Sequence, residues 1–428
     1  MMNKVLAKIY LTLALAVLGC MALAAQDADD TRTRVFDSNV KSVKLSVGGN
    51  KYVPAIYVMG SDRKIEVNFD YLDYDRHYLR YSVVHCDADW QPSQLQETEY
   101  VDGFNYADIT DYAQSEATFV HYFNYDFSLP NDDMKLTKSG NYLLKVWEQD
   151  DPEKVLFQTR FCVSENLVNV GASVSSRTDI DYNEKHQELA IEVANRNNVI
   201  KDPYGELTVV VMQNSREDNA VAVTKPQMVG GNKITFAHDK KLIFPAGNEF
   251  RRIETVALHS LNMGVVKMAY FDPYYHATLR TDQMRSDASY EYDKTQYGRF
   301  TVRNAEGRNS NVDADYFVTH FSLDTGGEPL NGGRLCIDGE FADGMSGSSR
   351  LMKWDETAQC YVCDLLLKQG AYNYQYLWYP DGASVGQTGK VEGDKYQTVN
   401  EYLIKIYDRP MGGRYDRLIG SAVVYSGE

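Results

Sequence analysis

Lys64-Ile-Glu-Val-Asn-Phe-Asp70 alternates polar and apolar side chains without a break, so a two-residue period sets its apolar members on one face of a strand. The same period returns in Tyr142-Leu-Leu-Lys-Val-Trp147, Glu206-Leu-Thr-Val-Val-Val211, Tyr316-Phe-Val-Thr-His-Phe321 and Tyr402-Leu-Ile-Lys-Ile-Tyr407. Most of these runs are bounded by Gly, Pro, Asn or Asp, and no window of helical periodicity competes with them. Composition agrees: 32 Tyr stand against 16 Phe and 4 Trp, an excess that suits pleated, half-buried surfaces. The chain has 428 residues, 43% of them hydrophobic, enough for about three domains with cores of their own. Many short strands with frequent turns predict an all-β chain, a tandem of three antiparallel immunoglobulin-like β-sandwiches.

Working outward, residues 33–165 form a first block, 166–285 a second, 286–314 a Tyr-rich linker and 315–428 a last block. Residues 1–24 read as an export signal, with Lys4 and Lys8 ahead of the uncharged run from Ile9 to Gly19. Cleavage is expected between Ala24 and Ala25. Cys20 ends a loose lipoprotein box, Val17-Leu18-Gly19-Cys20, which makes lipidation the rival fate. The apolar run is too short to span a bilayer, so no direct membrane span is expected. Formal charge is -16, and removal of Lys4 and Lys8 with the leader takes it to -18. No basic block interrupts this acidity, which excludes nucleic acid and an anionic bilayer as charge-driven partners.

Chemistry is sparse. Neither a P-loop nor a dinucleotide fingerprint occurs, and the eight histidines are scattered singly without a zinc-type pair. Gly344-Met-Ser-Gly-Ser348 departs from a nucleophile elbow at its last position. His85-Cys86-Asp87-Ala88-Asp89-Trp90 concentrates polar function, yet His85 and Cys86 are strand neighbours and face opposite ways. Asp87 and Asp89 are expected in turn hydrogen bonds, with Trp90 as a packing anchor. Asn131-Asp-Asp133 lacks the spacing of a calcium loop and reads as a solvated turn. Five cysteines follow the leader, Cys86, Cys162, Cys336, Cys360 and Cys363. Cys360-x-x-Cys363 is expected to be structural, or to give one cross-strand bond to Cys336. The reading has no catalytic residue, no metal and no cofactor. One face is a candidate: Tyr372, Tyr374, Tyr376 and Trp378 alternate on one strand near Trp354, and are expected to pack against a neighbouring domain or meet a partner before they stack on sugar rings.

Tyr81-Ser-Val-Val-His-Cys-Asp-Ala-Asp-Trp90, Tyr100-Val-Asp-Gly-Phe104, Phe127-Ser-Leu-Pro-Asn-Asp132, Ser139-Gly-Asn-Tyr-Leu-Leu-Lys-Val146 and Arg160-Phe161 resemble strings of the plug protein of the Bacteroidota type IX secretion system. Leu367-Lys-Gln-Gly-Ala-Tyr-Asn-Tyr374, Glu392-Gly393, Thr398-Val-Asn-Glu-Tyr402 and Arg414-Tyr-Asp-Arg-Leu-Ile419 fit the same family. Gln397 and Trp147 depart from its pattern, where Glu and Tyr are more familiar. The resemblance implies a non-enzymatic periplasmic partner of an outer-membrane β-barrel translocon, closing the barrel's mouth when no cargo occupies it. It also implies a last block of early-set immunoglobulin or glycogen-binding-module type. The motif residues His85, Cys86, Asp87, Asp89, Trp90, Gly140, Tyr142, Gly370 and Tyr372 are expected to be structural. A periplasmic glycan-binding module is the alternative function.

Overall fold

The computed structural model describes residues 31–260 and 262–427; the leader, Cys20 and the Ala24–Ala25 cleavage site lie outside the described residues. Strands dominate, as the alternation predicts. Ile65, Val67 and Phe69 are all fully buried, because Ile65–Tyr71 turns one face inward between Val40–Val47 and Phe123–Leu129. Across from them stands a sheet ordered Arg34–Val35, Asp151–Ser164, Gly140–Glu148, Leu79–Cys86 and Ala107–Asp108. Tyr81, Val83, Tyr142, Leu144 and Phe157 from this sheet close the first hydrophobic core.

The second core draws on two distant parts of the chain. Leu189, Ile191 and Val193 pack with Val209 and Val211, and also with Ile404, Ile406 and Ile419 from the C-terminal hairpin. Leu207–Gln213 pairs with Glu401–Asp408, which pairs in turn with Arg417–Tyr425. The third core joins Phe317, Phe321, Leu365 and Leu367 to Tyr372, Tyr374, Tyr376 and Trp378. Here Arg251–Glu254 pairs with Gly370–Pro380, and Tyr274–Leu279 lies parallel beside Tyr316–Asp324.

Strand pairing therefore crosses the expected boundaries at 285 and 315. Each of the blocks 166–285 and 315–428 lends strands to the other's sheet, so neither holds a whole core. Alternation states which face of a strand is buried but carries nothing about which strand lies beside it. Residues Thr33–Glu428 form one compact unit, and the expected linker is stitched into it. Tyr290 donates to Glu249 Oε1 at 2.8 Å, and the Tyr297 ring lies 5.1 Å from that of Tyr425.

Candidate functional site

The family-type strings converge where the three cores meet. The strand Leu79–Cys86 ends in His85, which is buried; its Nδ1 lies 2.8 Å from Ser93 Oγ and its Nε2 3.0 Å from the Ser139 carbonyl. Burial holds the imidazole below its ordinary pKa, so His85 serves as a neutral packing and hydrogen-bonding group. Gly140 is required beside it. A Cβ there would come within 2.6 Å of His85 Nε2, and the backbone sits at φ +137°. Tyr142 meets the His85 ring edge-on at 5.0 Å, and Tyr415 does so from the C-terminal hairpin loop at 5.3 Å. Cys86 is a buried free thiol, pushed up to about 12 by burial, and carries no nucleophilic character at neutral pH.

Asp87 binds across the seam between the first and second cores. Its Oδ1 accepts the Asp416 N–H at 3.0 Å and its Oδ2 lies 2.6 Å from the Arg409 guanidinium. Asp416 answers by accepting the Ala88 N–H at 2.9 Å and Arg409 Nε at 2.7 Å. Asp89 stays local, accepting the Gln91 N–H as the expected turn. Trp90, in a left-handed backbone with φ 67°, packs at the small cluster of Cys162, Val210, Tyr407 and Leu418, with the Arg160 guanidinium 4.2 Å from its ring. Arg417 holds Glu165 with two nitrogens at 3.1 and 3.2 Å, and Glu165 accepts the Ser139 hydroxyl. The strings at 81–90, 139–146 and 414–419 thus form one continuous seam.

A second seam joins the first and third cores. Lys368, in the other family-type string, places Nζ 2.6 Å from Asp70 Oδ2, which also accepts the Tyr316 hydroxyl at 2.6 Å. Asp315 accepts the Phe119 and Val120 N–H groups. Gly370 lies so close to the Thr301 carbonyl that a Cβ would meet it at 2.4 Å, while the buried Tyr372 donates its hydroxyl to the Lys368 carbonyl. The second and third cores are tied by Arg299, bidentate to Glu401 at 2.6 and 3.0 Å with both side chains buried. Where the seams meet, a cavity of about 380 Å³ is lined by Trp90, Arg160, Lys405, Arg299, Glu340 and Asp343.

Two of the alternatives left open are corrected. Tyr374, Tyr376 and Trp378 are not a presented face: all three are buried, and both tyrosine hydroxyls donate to Asp282 Oδ2 at 2.7 and 2.8 Å. Gly370–Pro380 is covered on both sides, because the alternate residues Asn373, Gln375 and Leu377 are buried as well. Trp354 is half-buried, edge-on to Tyr361 at 5.3 Å. No sugar platform remains in that strip. Cys336 forms no bond to Cys360 or Cys363; all five described cysteines are buried and free. Asn131-Asp-Asp133 is a turn, with Asn131 Oδ1 accepting the Asp133 and Met134 N–H groups.

The aromatics that do face outward lie elsewhere. Tyr74, Tyr78, Phe104 and Phe271 are at least 60% exposed. Arg76 sits 4.4 Å from the Tyr78 ring and 3.6 Å from that of Tyr112. Phe119, exposed in the loop between Asp111–Gln114 and Phe123–Leu129, packs at 4.7 Å on Tyr270 of the edge strand Val265–Phe271. Tyr, Phe and Arg in such groups have the composition of protein interfaces. Sequence reasoning passed over them because an exposed aromatic in a strand has the same spelling as a core one; the available signal was the Asp/Arg punctuation of Tyr74-Asp-Arg-His-Tyr78.

Residues 40–165, close to the limits of the first core, match the family model described as type 9 secretion system plug protein 1st domain. Over nearly its whole length the chain is similar to the crystal structure of a hypothetical protein from Parabacteroides merdae: TM-score 0.90 and 41% identity, covering 92% of this chain and 99% of that one. No curated protein matches it.

Proposed function

This chain belongs to the type 9 secretion system plug family, and from that membership we propose that it is a non-enzymatic periplasmic plug. It docks on the outer-membrane translocon barrel and closes its periplasmic mouth when no cargo is engaged. The observation that carries this reading is mechanical. Three cores are locked to one another by the buried pairs Asp70–Lys368 and Arg299–Glu401 and by the Asp87–Arg409–Asp416 seam, as a stopper for a wide pore must hold one shape under load. The exposed Tyr, Phe and Arg groups supply contact surface at the rims of that body. An acidic surface outside them suits an interface that forms and dissolves. Export by the leader, with cleavage at Ala24–Ala25 or lipid attachment at Cys20, places the chain on the periplasmic side of the barrel.

The test is outer-membrane permeability. With the translocon held open, deleting this protein is expected to admit large antibiotics; unchanged permeability overturns the reading. Co-purification of the tagged chain with the barrel tests the docking step.

A further inference from the structure

We propose that Asp179, Glu188 and His238 form a divalent-cation site of the Zn²⁺ class at one end of the second core. The three side chains arrive from separate segments. Asp179 lies in the turn between Asn169–Ser175 and His186–Ala194, Glu188 within the latter strand, and His238 in the turn after Lys233–Phe236. His238 Nδ1 is 3.1 and 3.2 Å from the two Asp179 oxygens and 3.8 Å from Glu188 Oε1. One donor atom from each residue lies within 4.8 Å of the others. Donors bound to zinc at about 2.0–2.2 Å stand roughly 2.8–3.6 Å apart in octahedral or tetrahedral arrangements, so small side-chain movements close the set.

Glu188 adds a separate indication. It is only 8% exposed, and its Oε2 accepts the Asp179 N–H at 2.8 Å. Its Oε1 faces the His238 ring, 3.8 Å from Nδ1. A backbone N–H on the far oxygen is the kind of outer partner that orients a ligating carboxylate. Asp179 and His238 are exposed, which leaves an entry path and room for water as the remaining ligand. One imidazole nitrogen with two carboxylate oxygens suits zinc and its neighbours, whereas calcium takes an all-oxygen shell. Occupied, the site would pin the turn at 176–185 to the turn at 237–239.

The experiment titrates the untagged, chelator-treated full chain with ZnCl₂ alone, by calorimetry and by thermal unfolding. One Zn²⁺ per chain and a raised Tm are expected in the wild type. His238→Ala and Asp179→Asn, both at exposed positions that leave the fold intact, each weaken binding at least tenfold and remove the Tm rise. His276→Ala, in the third core's sheet, changes neither. Absence of binding, or binding that survives His238→Ala, overturns the assignment, as does binding lost in His276→Ala.

Discussion

Lys368 Nζ lies 2.6 Å from Asp70 Oδ2 with both side chains at most 1% exposed, and so joins residues 298 positions apart across the first and third cores. Burial lowers the Lys368 pKa and Asp70 opposes that shift. Removing one partner leaves the other charge buried alone, so Lys368→Met is expected to cost about 3–5 kcal/mol. The double variant Lys368→Met with Asp70→Leu should recover much of that loss. Urea denaturation of both single variants and the double variant checks this; simple addition of the two losses would mean that the pair is not coupled.

Asp408 is fully buried, and neither carboxylate oxygen has a hydrogen bond; Arg417 stands 3.7 Å away. Burial raises its pKa from 3.8 to about 6, against the pull of Arg417. Between those values the folded state holds a proton that the unfolded chain has lost. Its contribution to stability is therefore complete below about pH 4 and falls as pH rises to about 6, by about 1.4 kcal/mol per unit at most. Asp408→Asn should flatten this stretch, gaining on the wild type between pH 4 and pH 7. Urea midpoints at those two values measure it, and parallel profiles would contradict it.

Cys86 and Cys363 are each pushed up to about 12 by burial, and all five described cysteines are free. At pH 8 the native protein should alkylate with iodoacetamide roughly 100-fold more slowly than the unfolded chain, since thiolate and access are both missing. In urea without reductant, mass spectrometry should find all five modified. A protected pair involving Cys336 would restore the cross-strand bond.

Tyr376 is fully buried in the third core, so Tyr376→Ala should lower stability by about 3–5 kcal/mol through the cavity it leaves. Polysaccharide affinity gels should show no retardation for wild type or variant. Retardation that Tyr376→Ala abolishes without a stability change would revive a glycan-binding role.

Tyr74 and Phe271 are 75% and 60% exposed, and aspartate at either position should shift stability by no more than about 0.5 kcal/mol. The same changes should reduce recovery of the translocon barrel in pull-downs. Full recovery with both substitutions would move the docking surface elsewhere on the body.

Much of the architecture was legible in local pattern. Ile65, Val67 and Phe69 alternate in sequence and are buried as alternation requires, and Asp89 accepts the Gln91 N–H in the turn its residue type favours. The sugar-platform reading of Tyr374, Tyr376 and Trp378 failed because period two puts residues on a common face without saying whether that face meets solvent or a second sheet. Tyr270 and Phe271, spelled like core residues, are exposed because Val265–Phe271 is an edge strand, which only the sheet order reveals.

The amino-acid sequence by itself determined the all-β class, the acidic character of the chain and its family resemblance, because these depend on short-range periodicity, composition and local strings. The tertiary structure alone decided which strands share a core, that Glu401–Asp408 completes a sheet begun at Leu207–Gln213, and that Asp87 finds Asp416 and Asp70 finds Lys368. Those partners are hundreds of residues apart. Their meeting depends on how whole sheets pack, so no local spacing encodes it.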